Sequence, residues 1–261
     1  MKTTKIINYL NEKFSPDLAA DWDASGFQIQ ETFNNPENEE IEKLMICLDV
    51  TNEALKFAIH EGIKFIISRH PFIFNSIEQE LQNPAKSEMI KEIIENNIQI
   101  FTIHTNYDAS ENQSLTKLIK NEFDILEIKR VGESSEGFEF IFKKELAIKN
   151  LLEKLKIIFN VEDLRITRDT DIDRKISNFF ICTGAGSQTM FFEKMQNQVF
   201  VTGEGKWNEV IFAQDNSNDL ILLGHYMENY FVKDIADKLN KEFNKSFKIV
   251  EFDVKNGWKK F

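Results

Sequence analysis

Leu44-Met45-Ile46-Cys47-Leu48-Asp49-Val50-Thr51, followed at a helix's distance by Lys64-Phe65-Ile66-Ile67-Ser68, decides the fold of this chain. The first run is apolar almost throughout and reads as a strand buried on both faces. Thr51 is a good N-cap for a helix over 52–61, and Gly62 supplies its stop. The second run is the next strand. A helix near 87–97 leads to a third, Ile98-Gln99-Ile100-Phe101-Thr102-Ile103. Strand–helix–strand repetition with continuous apolar strands predicts an α/β protein with a mainly parallel sheet covered on both sides.

Upstream of this core, Ile6, Ile7, Leu10 and Phe14 show helical spacing, and a polar, acidic loop occupies about 31–41. Downstream, a helix over about 112–123 closes the first half. The second half restarts at Ile125. Gly137-Phe138-Glu139-Phe140-Ile141-Phe142 alternates like a strand, and 144–158 reads as helix. Further strands are expected at 164–167, 176–182, 198–202 and 220–223, then a helix at 232–243 and a strand at 247–252. Two α/β halves result, 1–124 and 125–261, and the last helix and strand could pack back on the first.

The chain has 261 residues, enough for a core without staples. A net charge of −11 argues against unaided binding to a nucleic-acid backbone, though a local basic patch stays open. Cys47 and Cys182 both lie in apolar runs. They read as reduced core thiols, which suits a cytoplasmic protein. The N-terminus has no apolar segment long enough for a signal peptide or a membrane span.

Three segments end expected strands with metal-ligand side chains: Ser68-Arg69-His70-Pro71, His104-Thr105-Asn106-Tyr107-Asp108 and Gly224-His225-Tyr226-Met227-Glu228. They hold three of the four histidines, and the fourth, His60, lies in a helical pattern. Imidazole and carboxylate at strand ends suit a divalent cation. Taken alone, each has a structural explanation. His70 could pack at a sheet edge, and Asp108 could close an Asx turn or cap a helix. His225 and Glu228, three apart, can face one ion if the turn between them is helical. Both halves contribute segments, so a cleft between them is the expected site. Arg69 is the odd member, because a guanidinium has no lone pair to give a metal.

Other clusters are less specific. Asp21-Trp22-Asp23-Ala24-Ser25-Gly26 reads first as a capped loop with Trp22 in the core. Thr183-Gly184-Ala185-Gly186-Ser187 and Thr202-Gly203-Glu204-Gly205-Lys206 read as tight turns after strands. Neither is a P-loop, although either could offer amides to an anion.

Together these segments resemble the NIF3-like family, the GTP cyclohydrolase 1 type 2 homologues. Asp21-Trp22-Asp23-Ala24-Ser25-Gly26-Phe27-Gln28 is similar to the family's DWDNVGLQ, and Leu48-Asp49-Val50-Thr51 to its LDVT. Ile66-Ile67-Ser68-Arg69-His70-Pro71-Phe72-Ile73-Phe74 is similar to IISHHPLIF, and His104-Thr105-Asn106-Tyr107-Asp108-Ala109 to HTNLDA. The Thr202–Lys206 and Gly224–Glu228 segments resemble TGD/E-x-K/R and GHY-x-(S/T)-E. The likeness runs nearly end to end and matches the short form of the family. It implies two α/β halves with a metal site in the cleft between them, and a homohexameric ring.

The resemblance also implies roles. His70, Asp108, His225 and Glu228 become metal ligands, with Glu228 bridging and Asn229 the poorer candidate. His104 becomes a supporting or acid–base group. Arg69 stands where the family has a histidine, so one divalent ion (Zn, Fe, Mn or Ni) is expected rather than two. Two readings follow. One is a metal-dependent hydrolase or cyclohydrolase acting on a small molecule, with Arg69 standing in for the second cation beside Asp108 and Glu228 and orienting an anionic substrate. The other is a catalytically decayed, metal-poor binding or assembly protein on the same scaffold, with Arg69 paired to Glu228.

Overall fold

In the computed structural model, residues 1–29 and 40–254 are described, and most of the loop expected at 31–41 lies outside them. Helix α1 (Thr3–Lys13) buries Ile6, Ile7 and Leu10 at the expected spacing. A short strand β1 (Gly26–Phe27) follows, then β2 (Lys43–Cys47). Thr51 caps helix α2 (Asn52–His60), its side chain accepting from the Ala54 amide at 3.1 Å. Gly62 ends that turn with φ +64°, a left-handed backbone that glycine adopts without strain. Strand β3 (Phe65–Ser68), helices α3 (Ile77–Glu80) and α4 (Pro84–Glu95), strand β4 (Gln99–Thr102) and helix α5 (Thr105–Ala109) complete this run.

The chain then forms helix α6 (Leu115–Glu122), strands β5 (Ile125–Val131) and β6 (Gly137–Ala147), helix α7 (Ile148–Phe159), and strands β7 (Arg165–Ile166) and β8 (Lys175–Ile181). Helix α8 (Thr189–Phe192), β9 (Val199–Thr202), α9 (Trp207–Asp215), β10 (Asp219–Leu222), α10 (Tyr230–Glu242) and β11 (Lys248–Phe252) close it. Among the described residues no helix is long and apolar enough to cross a membrane.

Two compact units divide the chain: Met1–Asn112 with Phe231–Phe261, and Gln113–Tyr230. The first carries the sheet β1-β4-β3-β2-β11. Its β4, β3, β2 and β11 run parallel, and only β1 is antiparallel. All residues of β3 and β4 are buried, as continuous apolar strands demand. Parallel pairing of β11 with β2, Lys248 opposite Lys43 through Phe252 opposite Cys47, returns the last helix and strand to this unit.

The second unit carries the sheet β5-β6-β8-β9-β10-β7. It is mixed, with β8-β9 and β9-β10 parallel and the outer pairs antiparallel. Leu115 and Ile119 of α6 pack with Phe138, Phe140 and Phe179 in its core. The second unit therefore begins at Gln113, ahead of α6, whereas the sequence reading divides the halves between Asp124 and Ile125. One expected element is also displaced. Strand β6 continues to Ala147, and its helix starts only at Ile148. A register irregularity between Ile141 and Leu146 carries β6 through the polar stretch that reads as helix.

Candidate functional site

Parallel strands deliver their chemistry at their C-terminal ends, and the first unit does so three times. Past β2 stands Asp49, past β3 stand Arg69 and His70, and past β4 stand His104 and the short helix bearing Asp108. The sheet ladder extends just far enough to fix them. The Arg69 and His70 amides donate to the carbonyls of Cys47 and Leu48 at 3.1 and 3.0 Å. His70 Nδ1 lies 2.9 Å from Asp49 Oδ1. A carboxylate on Nδ1 fixes the ring and leaves Nε2 as the donor for a metal.

Arg69 is 2% exposed. Its Nη2 donates to both oxygens of Asp108, at 2.8 and 2.6 Å, and Nη1 donates to the His104 carbonyl. Its guanidinium carbon lies 5.4 Å from the centre of the Tyr107 ring. Tyr107 is itself buried and donates to Asp234 at 2.7 Å. Asp108, expected as a metal ligand, thus has a fixed cation on both oxygens. A charge-assisted contact this short is a strong one for a carboxylate, even though a single guanidinium nitrogen reaches both oxygens.

His104 stands at the N-terminal boundary of α5 without capping it through its side chain, and its Nδ1 lies 2.6 Å from Asp23 Oδ1. Asp23 Oδ2 accepts from Ser25 Oγ at 2.7 Å and from the Thr105 amide at 3.0 Å. Burial alone would raise this carboxyl. Hydrogen bonds from His104, Thr105 and Ser25, with the His104 charge, outweigh it and hold Asp23 well below the usual carboxylate range. The loop before β1 is therefore fastened to α5 rather than merely capped. Trp22, expected in the core, is 66% exposed instead. The buried member of that motif is the carboxylate beside it.

The second unit builds its part from three strand ends woven together. The amides of Gly203 and Glu204, past β9, donate to the Gly184 carbonyl, past β8, at 2.9 and 3.0 Å. The Gly224 amide, past β10, donates to the Gly203 carbonyl at 2.9 Å. These glycine turns spend those amides on one another rather than on an anion. A Cβ on Gly203 would lie 2.6 Å from the Gly184 carbonyl oxygen. Residues His225–Asn229 form a 3-10 turn. That turn brings His225 Nε2 to 3.3 Å from Glu228 Oε2. Glu228 is 3% exposed and accepts from Thr183 Oγ1 at 3.2 Å. Glu204 Oε2 lies 3.4 Å from His225 Nδ1. Asn229 faces elsewhere, donating to the Tyr226 hydroxyl at 3.0 Å.

The structure thus joins Arg69 to Asp108 in one unit and His225 to Glu228 in the other. It adds Asp49, Asp23, Thr183 and Glu204, which the sequence reading placed within motifs but gave no site role. Asp49 carried a faint signal, as an acid closing an apolar strand. Each unit offers groups that suit a divalent ion: in the first, His70 with Asp49 on its Nδ1; in the second, His225 with Glu204 on its Nδ1 and a buried Glu228 whose space a missing Cβ at Gly184 keeps clear.

The comparisons with known proteins agree on kinship. The sequence matches the family described as Duf34/NIF3 (NGG1p interacting factor 3) over residues 1–257. It is 26% identical to a GTP cyclohydrolase 1 type 2 homolog of Mycoplasmopsis pulmonis, across 95% of this chain and 96% of that one. It is 29% identical to a homolog of the same name from Lactococcus lactis, across 94% and 93%. Its fold is similar to that of a hypothetical protein from Staphylococcus aureus, with a TM-score of 0.82 at 19% identity, covering 100% of this chain and 99% of that one. The chain belongs to the Duf34/NIF3 family.

Proposed function

We propose that this protein holds one divalent ion through His70, His225 and Glu228 and uses it to hydrolyse a small molecule. The observation that carries this reading is the Asp49–His70 pair at 2.9 Å, which prepares Nε2 as a ligand. His225 and Glu228 on one 3-10 turn supply a second imidazole and a charge. Two imidazoles and a carboxylate, with a position left open, form a donor set common to catalytic zinc sites. A divalent ion bound there polarises a carbonyl or phosphoryl oxygen and acidifies water.

The remaining roles belong to the chain's own groups. Asp49 and Glu204 orient the two imidazoles. His104, its Nδ1 engaged by Asp23, presents Nε2 to give or take a proton. Arg69 neutralises Asp108, so that carboxylate recruits no second ion. The names of the relatives support a cyclohydrolase-type reaction on a nucleotide.

A second reading is a metal-poor binding or assembly protein. The buried Arg69–Asp108 pair favours it, because a cation already sits on an expected ligand. Calorimetric titration of the metal-stripped protein with Zn or Mn separates the two. Saturation near one equivalent, abolished by His70→Ala and by Glu228→Gln, supports the first. No binding supports the second. We further propose a cytoplasmic protein that self-associates as a homohexamer, on the strength of the family resemblance.

A further inference from the structure

Strand β5 is one edge of the second unit's sheet, and among the described residues its strand partner is β6 alone. Its seven residues make it the longest edge strand of the two sheets among those residues. An open edge of that length offers backbone groups to any strand that fits. Which groups face outward follows from the ladder. The Lys143 amide donates to the Asp124 carbonyl at 2.9 Å, so the alternate residues of β6, Ile141, Glu139 and Gly137, also turn to β5. Their partners Glu127, Lys129 and Val131 spend their backbone groups on β6, and Ile128 turns its own outward.

The side chains along this edge suit a partner. Leu126 falls at the register irregularity between Ile125 and Glu127, opposite no residue of β6, and is 67% exposed. Glu127 and Lys129 flank Ile128, their side chains 56% and 50% exposed. Lys129 lies 3.9 Å from Glu127 and 3.4 Å from Glu139. Ion pairs this open contribute little within one chain. No proline interrupts the strand, and charges of both signs repel some pairings while favouring others.

We propose that β5 is an interface between two copies of this chain, paired antiparallel about a two-fold axis at Ile128. The edge itself selects that register. A self-complementary pair must centre on a residue whose backbone groups face outward, which Ile128 provides. Centred there, Glu127 stands opposite the second copy's Lys129, and Lys129 opposite its Glu127. Centred on Glu127 or on Lys129, like charges would meet, through backbone groups already spent on β6. Leu126 gains the alkyl stem of the second copy's Arg130 as cover. The two sheets join into one. The inference rests on the self-association proposed above and names a surface for it.

Light scattering on dilution of the full-length protein tests this, with Glu127→Lys, Lys129→Glu and the double exchange beside wild type. Each single reversal sets like charges opposite at two symmetric places, and should raise the concentration at half-dissociation by roughly tenfold. The double exchange restores opposite charges and should return it close to the wild-type value. Within one chain, Glu139 meets the reversed charge at position 129 in either case, so a merely structural loss would persist in the double variant. Glu127→Cys combined with Lys129→Cys gives a second readout, because a directly opposed, non-hydrogen-bonded pair is close enough for a disulfide. Mild oxidation should then yield covalent dimers on a denaturing gel, the native Cys47 and Cys182 being buried. An oligomer that ignores both reversals and forms no covalent dimer overturns the β5 interface and leaves self-association standing. A wild type that stays monomeric at every concentration overturns both. Single reversals that dissociate the protein without rescue by the double exchange overturn the proposed pairing.

Discussion

Arg69 brings a permanent positive charge, at 2% exposure, to a place where two carboxylate oxygens already point. Removing it without replacement strands the largely buried Asp108, which costs on the order of 3–5 kcal/mol at a fully buried pair. Arg69→His is the informative change, because imidazole restores a neutral donor beside His70 and frees Asp108. The variant should take up a second equivalent of Zn or Mn in calorimetric titration. A folded variant with unchanged stoichiometry would remove Arg69 from the ligand position. Asp49→Asn tests the other side of the argument. Asp49 is 44% exposed, so stability should stay within about 0.5 kcal/mol. Ion affinity should still fall roughly 10–100-fold as His70 loses its orienting charge. An unchanged affinity would show that Asp49 does not prepare His70.

Asp23 gives a pH dependence at the same scale. Its carboxyl is held below the usual range in the folded protein, so its contribution to stability is fully present above about pH 4. It is lost as pH falls further, toward the folded value. Urea unfolding at pH 6 and pH 3 should show the wild type losing more stability than Asp23→Asn. Equal losses would contradict the assignment. These partnerships were poorly legible in sequence. Asp23 and His104 are 81 positions apart, and Asp49 and His70 are 21 apart. The histidines announced themselves by ending apolar strands. The acids that orient them did not, and an aromatic such as Trp22 reads by default as core.

At the scale of elements, the second unit depends on strand ends packed closer than side chains permit. Gly184 has φ +65°, and a Cβ there would lie 2.9 Å from Glu228 Oε1. Gly184→Ala should destabilise the protein by about 1–2 kcal/mol from backbone strain alone. It should also weaken ion binding, because Glu228 must move. A thermal melt and a metal titration of one preparation read both effects, and an unchanged affinity would separate Glu228 from the ion. The strands β2, β3 and β4 were legible because continuous apolar runs leave few alternatives. The tail of β6 was not, since Lys143-Lys144-Glu145 breaks the alternation and Leu151 and Leu155 begin a helical one. Strand β5 was missed for a related reason. Its burial pattern has no fully buried residue, so no apolar face marks it.

For the whole molecule, each unit has its own core. Met45, Ile66 and Ile100 anchor the first, and Phe140, Phe179 and Val201 the second. The proposed hexamer should appear in light scattering at micromolar concentration, and a stable monomer would count against it. The central claim is the ion, and it is tested most directly by elemental analysis of the gently purified full-length protein. About one equivalent of a divalent transition metal per chain is expected, from a three-ligand donor set with Asp108 already taken by Arg69. Two equivalents would show that Arg69 displaces nothing, and none would show that His70, His225 and Glu228 hold no ion.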